Sequence, residues 1–451
     1  MVYIWQSPGW PSFHWSNDEL AAQLGAVRHE QGRLLGRVEA LGYKVREATL
    51  LQTLTQDVVK SSAIEGEQLD EQQVRSSLAR RLGIKIDGFV TPDRSVEGIV
   101  HITLDATMNC REPLTAERLF SWHAALFPTG RSEWGQKLRV GAWRDDSGGR
   151  MQVVSGSFGR EKVEYVAPPA NRLEAEMSAF LDFFNAPAAV DPIIKAALAH
   201  LWFVAIHPFD DGNGRITRAI ADMTLARADA GPQRLYSMSA AIEGARGDYY
   251  DALKATTTGQ NLDLTNWIKW FVDRLGRAVA NATATLDNVL FKADFWQANG
   301  ALDLNARQTK VLNRLLDGGF EGKLTSTKWA KLTKTSQDTA ARDIADLVAK
   351  GLLCKGEAGG RSTAYELKWF AANRHLPAQS NVDGSAASAL DRHAMGQSKS
   401  EVADDHHSRA AFISDLAGLL GEHFNQRAAA SDQTEVPQPN QPKQQKPKTG
   451  R

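Results

Sequence analysis

His207-Pro208-Phe209-Asp210-Asp211-Gly212-Asn213-Gly214-Arg215-Ile216-Thr217-Arg218 places a base, a hard carboxylate, an amide, two glycines and two arginines in one short run of chain. Its flanks decide what it is. From Asp191 to Ile206, Ile194, Ala197, Leu198, Leu201, Trp202 and Ala205 recur at helical spacing, which predicts a buried helix. From Arg215 to Arg227 the pattern predicts another. The run is therefore a loop between two helices that ends on a helix N-terminus.

That placement has a physical consequence. The first N–H groups of a helix lack intrahelical partners, and the helix dipole adds partial positive charge there. Gly212 and Gly214 let the backbone curl and approach an anion closely. The loop reads as a phosphate cradle. Asp211 suits Mg²⁺, which takes carboxylate, water and phosphate oxygens. Asn213 is a donor for a phosphate oxygen, and Arg215 and Arg218 supply forked hydrogen bonds to further phosphates. His207 opens the loop, and imidazole is the usual general base near neutral pH. These are the parts needed to hold a nucleoside triphosphate with its metal and to transfer a piece of it.

The run resembles the signature of Fic domains, H-x-F-x-[DE]-G-N-G-R-x-x-R, with every defined position present. Members of that family mostly transfer AMP from ATP to a hydroxyl of a target protein. The resemblance implies that His207 deprotonates a Ser, Thr or Tyr hydroxyl and that Asp211 holds Mg²⁺ across the phosphates. It implies that Asn213 and the loop amides bind the α- and β-phosphates, that Arg215 holds the β-phosphate and that Arg218 holds the γ-phosphate. Gly212, Gly214, Ile216 and Thr217 would complete the nucleotide-binding run.

Ser61-Ser62-Ala63-Ile64-Glu65-Gly66 resembles the family's inhibitory motif, [ST]-x-x-x-E-[GN], with Ser61 and Glu65 one helical turn apart. The resemblance implies that Glu65 reaches Arg218. A carboxylate there removes the γ-phosphate's partner and repels the triphosphate, so in-line geometry is lost. Since the motif precedes the core on the same chain, the inhibition would be intramolecular. Gly141-Ala142-Trp143-Arg144, the turn at Asp145 to Arg150 and Met151 to Gly156 read as a short β-hairpin. It resembles the flap that docks a target segment by strand addition, with Val153, Val154, Ser155 and Gly156 bordering the nucleotide. Tyr249 in Tyr249-Tyr250-Asp251-Ala252-Leu253 would contact adenine. Eight residues on, Thr257 stands where the family often has Asn.

Composition sets the frame. The 451 residues carry 53 Lys and Arg against 53 Asp and Glu, so no global field draws the protein to nucleic acid or membrane. No apolar run approaches a membrane span, and the N-terminus lacks a basic segment followed by an apolar one. Only Cys110 and Cys354 are present, read as reduced thiols of a cytoplasmic protein. Eleven histidines show no metal-ligand spacing.

The expected fold is all-α in four parts. Residues 1–90 form a helical domain with the inhibitory helix, opened by an arm in which Trp5, Trp10 and Trp15 staple onto the helices behind. This region resembles the N-terminal domain of a subset of bacterial Fic proteins. Residues 95–297 form the Fic-type core with its flap, ending in a long helix from Leu264 to Trp296. Residues 301–374 carry 13 Lys and Arg against 8 Asp and Glu. Three helices there, followed by a hairpin, resemble a winged helix-turn-helix. Ser336, Gln337, Thr339 and Arg342 would face DNA, or the module would serve protein contacts or a homodimer. Residues 375–451 read as a disordered tail holding one amphipathic stripe, Ala410 to Phe424.

The expected function is an auto-inhibited protein adenylyltransferase using ATP and Mg²⁺, acting on a target protein docked on the flap and on itself. One alternative is a de-adenylylating hydrolase in which Glu65 orients water. Another is a DNA-binding regulator with the Fic core as nucleotide sensor. Phosphoryl transfer fits less well, because the family branch with that activity lacks the small residue found here at Gly214.

Overall fold

The computed structural model describes residues 2–368, apart from 42, 87, 133–134, 156–159, 161, 188–189, 230–233, 317–321 and 357–362. The sequence expectations for Gly156, for most of the turn between Gly356 and Arg361 and for the whole tail lie outside the described residues. The described elements are overwhelmingly helical. In chain order they are α1 (Asn17–Glu39), α2 (Tyr43–Glu65), α3 (Glu71–Leu82), α4 (Arg94–Met108), α5 (Ala116–Leu126), β1 (Gln152–Ser155), β2 (Lys162–Val166), α6 (Leu173–Asn185), α7 (Pro192–Ile206), α8 (Asn213–Ala228), α9 (Met238–Glu243), α10 (Arg246–Thr257), α11 (Thr265–Asn299), α12 (Ala306–Leu316), α13 (Ser326–Thr333), α14 (Gln337–Ala349), β3 (Leu353–Lys355) and β4 (Tyr365–Leu367). No described helix is long and apolar enough to cross a membrane.

α7 and α8 form the centre. The Asp191 carboxylate caps α7 by accepting from Ile193 N at 2.8 Å, and Pro192 occupies the first turn, where its missing N–H costs nothing. Ile194, Leu198, Leu201 and Phe203 lie around the helix and are all buried, so α7 is apolar on every side and sits inside the bundle. Each such side chain contributes about 1.5–3 kcal/mol of burial. α8 packs along α7, with α4, α5, α6 and α11 around the pair. α2 is pinned to this centre through a buried ion cluster. Arg234 pairs with Asp57 of α2 and, at 2.6 Å, with Asp222 of α8.

The N-terminal arm staples onto the flap as well as the helices. Trp5 is buried and donates its indole N–H to Val166 O of β2 at 2.8 Å. Trp10 packs edge-on against Trp202 and donates to Glu176 at 2.8 Å. Trp15 is half-buried and donates its indole N–H to nearby Asn17 at 2.9 Å.

The hairpin is also corrected. β1 pairs antiparallel with β2, not with Gly141–Arg144, and its register shifts between Val153 and Val154. Arg144 explains why. Its backbone N–H donates to Pro208 O at 2.9 Å, and its buried guanidinium donates to His207 O at 2.7 Å and Pro168 O at 2.6 Å. The segment is thus held as a loop against the helix-connecting run and has no free edge for a strand.

The C-terminal elements surround a separate apolar cluster of Val311, Leu312, Trp329, Ala340, Ile344, Leu347, Leu353 and Leu367, joined by Phe295 from the end of α11. β3 and β4 are antiparallel, and Leu324 bridges to Tyr365. Ser336 caps α14 by accepting from Thr339 N at 3.2 Å, and Gln337 donates to Thr327 at 3.0 Å. Arg342 is exposed.

Candidate functional site

The loop between α7 and α8 is set by left-handed residues. His207 ends α7 at φ 52°, and Gly212 precedes α8 at φ 79°. A Cβ on Gly212 would meet the Phe127 ring at 2.9 Å and Leu126 at 3.0 Å, so both conformation and space require glycine. The Asn213 amide closes the loop by accepting from Phe209 N at 3.0 Å and donating to Phe209 O at 2.8 Å. No side chain caps α8, whose first helical bond runs from Ile216 N to Gly212 O. The N–H groups of Asn213, Gly214 and Arg215 therefore lie ahead of the hydrogen-bond ladder, as an anion site requires. Asn213 contributes this N–H and loop closure. Ile216 and Thr217 do not reach the cleft: both side chains are fully buried on the core side of α8.

The two motif arginines, one turn apart on α8, face the end of α2. Arg218 donates to Ser61 Oγ at 2.9 Å and to Ser61 O at 2.7 Å, and its Nη1 lies 2.8 Å from Glu65 Oε1. Burial opposes its charge, but Glu65 and the neighbouring groups hold its pKa above the ordinary value. A Cβ on Gly214 would lie 2.1 Å from Glu65 Oε1, so this glycine makes room for the carboxylate. Arg215 has a partner that the sequence does not announce: Glu67 Oε2 lies 2.8 Å from its Nη1. The Arg215 guanidinium also rests over the Phe127 ring at 5.3 Å.

Glu65 and Gly214 border a cleft of about 630 Å³ that is also lined by His207, Tyr249, Tyr250, Thr257 and the flap residues Val153, Val154 and Ser155. The Tyr249 hydroxyl is already bonded to His200 at 2.9 Å, and the residue is buried, so its ring rather than its hydroxyl is offered to a ligand. Tyr250 is 42% exposed and donates to Ile64 O at 3.2 Å, tying this wall to the end of α2. The Thr257 hydroxyl donates to Leu253 O at 2.8 Å. The flap is fixed to the same wall by Glu164, which accepts from Ser155 at 2.7 Å and pairs with Lys254 at 2.6 Å. Glu164 carries no motif and escapes a reading by pattern, and Tyr250, though inside the Tyr249–Leu253 segment, shows no role there.

His207 is half-buried in the cleft, and its Nδ1 lies 3.2 Å from Val204 O. Desolvation lowers its pKa to about 4, opposed by that contact. The ring is therefore neutral at pH 7 and able to accept a proton. His123, stacked on Phe209 at 4.2 Å beside the loop, is lowered to about 4 by burial. Asp211 is half-buried and accepts from Gly212 N at 2.6 Å. Among the described residues no group of three or more His, Cys, Asp or Glu could hold a metal by itself. A single half-buried carboxylate in the loop fits an Mg²⁺ ion that completes its shell with phosphate oxygens and water.

Residues 113–225 match the family described as Fic/DOC, and residues 3–84 match a domain of unknown function, DUF4172. The chain is 25% identical over 253 residues to the protein adenylyltransferase fic-1 of Caenorhabditis elegans, covering 52% of this chain and 43% of that protein. It is 37% identical over 98 residues to the protein adenylyltransferase Fic of Nematostella vectensis, covering 21% of this chain and 22% of that protein. The alignments thus span less than half the length of these relatives. The crystal structure of a Fic family protein from Desulfovibrio desulfuricans G20 superposes with a TM-score of 0.43 at 20% identity, covering 76% of this chain and 95% of that one.

Proposed function

From the Fic domain that this chain carries between residues 113 and 225, we propose a protein adenylyltransferase held in check by its own α2. The observation that carries the reading is the uncapped N-terminus of α8, whose Gly214 borders one cleft with the neutral imidazole of His207, while Arg215 and Arg218 of the same helix pair with Glu67 and Glu65. The target hydroxyl attacks the α-phosphorus of ATP, the bond to the bridging oxygen breaks, and pyrophosphate leaves. His207 takes the hydroxyl proton. The three leading N–H groups of α8 stabilise charge on the α- and β-phosphates, Arg215 binds the β-phosphate and Arg218 the γ-phosphate. Mg²⁺ on Asp211 would neutralise the leaving pyrophosphate. The exposed edge of β1, with Val153 and Val154 outward, would pair with an extended target segment, including segments of the protein itself.

Glu65 opposes all this by occupying Arg218 at 2.8 Å. The test uses ATP labelled at the α-phosphate, with wild type, Glu65→Gly and Glu65→Gly/His207→Ala incubated with cell lysate. Label on protein chiefly in Glu65→Gly, lost in the double variant, is the expected result. Equal labelling of wild type and Glu65→Gly would refute the restraint, and labelling that survives His207→Ala would refute the base.

A second reading has one observation in its favour. Glu65 and His207 line the same cleft, and the Glu65 side chain keeps 35% exposure, so it can also orient water against an AMP-modified target. We read the C-terminal elements as a winged helix. Lys323, Lys331 and Lys334 lie around α13 with Arg342 exposed on α14, which favours nucleic-acid contact over a neutral face.

A further inference from the structure

We infer that Glu67 sets the phosphate preference of the cleft: paired with Arg215, it closes the second phosphate subsite, so that the resting site favours a nucleoside monophosphate group over a triphosphate. This rests on the reading of the cleft as an ATP site.

The geometry begins at Gly66. α2 ends there in a left-handed residue at φ 97°, with Gly66 N donating to Ala63 O at 3.0 Å and Glu67 N donating to Ser62 O at 3.1 Å. This is the glycine-dependent helix stop in which the chain doubles back over its last turn. Nothing lies within 4 Å of a Cβ built on Gly66, so only backbone conformation demands glycine. The reversal carries Glu67 to Arg215. Their side chains are 17% and 8% exposed, more enclosed on the acid side than the Glu65–Arg218 pair. With Phe127 under Arg215 as well, the guanidinium is engaged by an acid on one side and a ring on another.

Two acids two residues apart thus engage two arginines three residues apart, Glu65 with Arg218 and Glu67 with Arg215. Both arginines are neutralised. The remaining anion donors at the loop are the leading N–H groups of α8, enough for one phosphate beside His207. A triphosphate must displace both carboxylates, and a monophosphate neither. Removing Glu65 alone leaves Arg215 occupied.

The test measures affinities of AMP and of an ATP analogue that is not cleaved between the α- and β-phosphates, by calorimetry with Mg²⁺. The proteins are wild type, Glu67→Gln, Glu65→Gly and Glu65→Gly/Glu67→Gln. The near-isosteric Glu67→Gln keeps the packing, which thermal unfolding checks. A pair between the exposed and buried limits gives a shift of about tenfold. The expected result is tighter binding of the analogue by that factor in Glu67→Gln, and again on top of Glu65→Gly, with AMP affinity unmoved. An equal gain for AMP would overturn the inference, because a merely structural brace loosens the cleft for both ligands. So would a double variant that binds the analogue no better than Glu65→Gly. Failure of all four proteins to bind the analogue would overturn the ATP reading and this inference together, whereas binding indifferent to residue 67 overturns this inference alone.

Discussion

Gly214→Ala distinguishes a seated Glu65 from an absent one. A methyl at this position would lie 2.1 Å from Glu65 Oε1, 2.9 Å from its Cδ and 3.3 Å from Arg218 Nη1. Gly214 is in the first turn of buried α8, whose backbone has nowhere to retreat. Glu65 is the far end of a flexible side chain with 35% exposure, so the carboxylate is what moves. Arg218 then keeps both bonds to Ser61 and loses its ion pair. Breaking a fully buried pair costs about 3–5 kcal/mol, and an exposed pair is worth about 0–1 kcal/mol. With one partner 2% and the other 35% exposed, solvent screening brings the loss to about 1.5 kcal/mol. Against it, alanine for glycine within a helix gains roughly 0.5–1 kcal/mol. Gly214→Ala should therefore destabilise the wild type slightly. In a Glu65→Gly background the carboxylate contacts vanish, and the same substitution should be neutral or stabilising. Urea unfolding of the four proteins in the cycle measures a coupling of about 1.5 kcal/mol. Effects that add to within about 0.5 kcal/mol would mean that Glu65 does not rest against Gly214, and the account of the restraint would fall with it.

Two further outcomes follow from the same structure. Trp5→Phe leaves a smaller aromatic ring near the Arg172 guanidinium and removes the 2.8 Å hydrogen bond to Val166 O, worth about 1 kcal/mol, so hydrogen exchange in β1 and β2 should quicken while α12 to α14 are unchanged; equal protection of the flap in both proteins would refute the arm's bracing role. Stability should be highest near pH 6.5 and should already be falling between pH 6.5 and pH 8. His123 and His200 have their pKa lowered by burial to about 4 and about 3, so their contribution is present above 6.5 and is lost as the pH falls through those values. Asp222, buried with Asp57 near one arginine, is raised to about 8, so its contribution is present at low pH and is lost as the pH rises through 8. Urea midpoints at pH 5, 7 and 9 test both limbs, and a midpoint highest at pH 9 would contradict the second.

The central loop is legible in the sequence because its chemistry is contiguous. Twelve residues name the base, the carboxylate, the two flexible points and the arginines, and the apolar periodicity on either side supplies the helices. Helical geometry also carried a signal against Ile216 and Thr217. With Arg215 and Arg218 on one face at i and i+3, the two residues between them turn toward the core. Other features depend on residues far away in the chain. Trp5 finds its acceptor 161 residues on, and Glu67 meets Arg215 148 residues on. Within its own run, Gly66-Glu67-Gln68, the acid looks like solvated surface. Gly141–Arg144 fails as a strand because four backbone carbonyls elsewhere take the donors of Arg144, and such tertiary competition overrides local strand propensity.

The left-handed residues join these two levels. Gly66, His207 and Gly212 all have positive φ, and each ends or begins a helix that borders the cleft. Glycine adopts that conformation without strain, so Gly66 and Gly212 explain themselves as stops. His207 does not, because a side chain in this region costs roughly 1–2 kcal/mol that glycine would avoid. The fold retains the strain by fixing the residue from several sides. His207 N donates to Phe203 O at 3.0 Å, the ring meets Val204 O at 3.2 Å, and Arg144 holds its carbonyl at 2.7 Å. A strained position secured by three contacts, with a neutral imidazole directed into the cleft, is what a positioned base requires. Arg144, which holds the His207 carbonyl, lies in the segment whose local pattern reads as a strand.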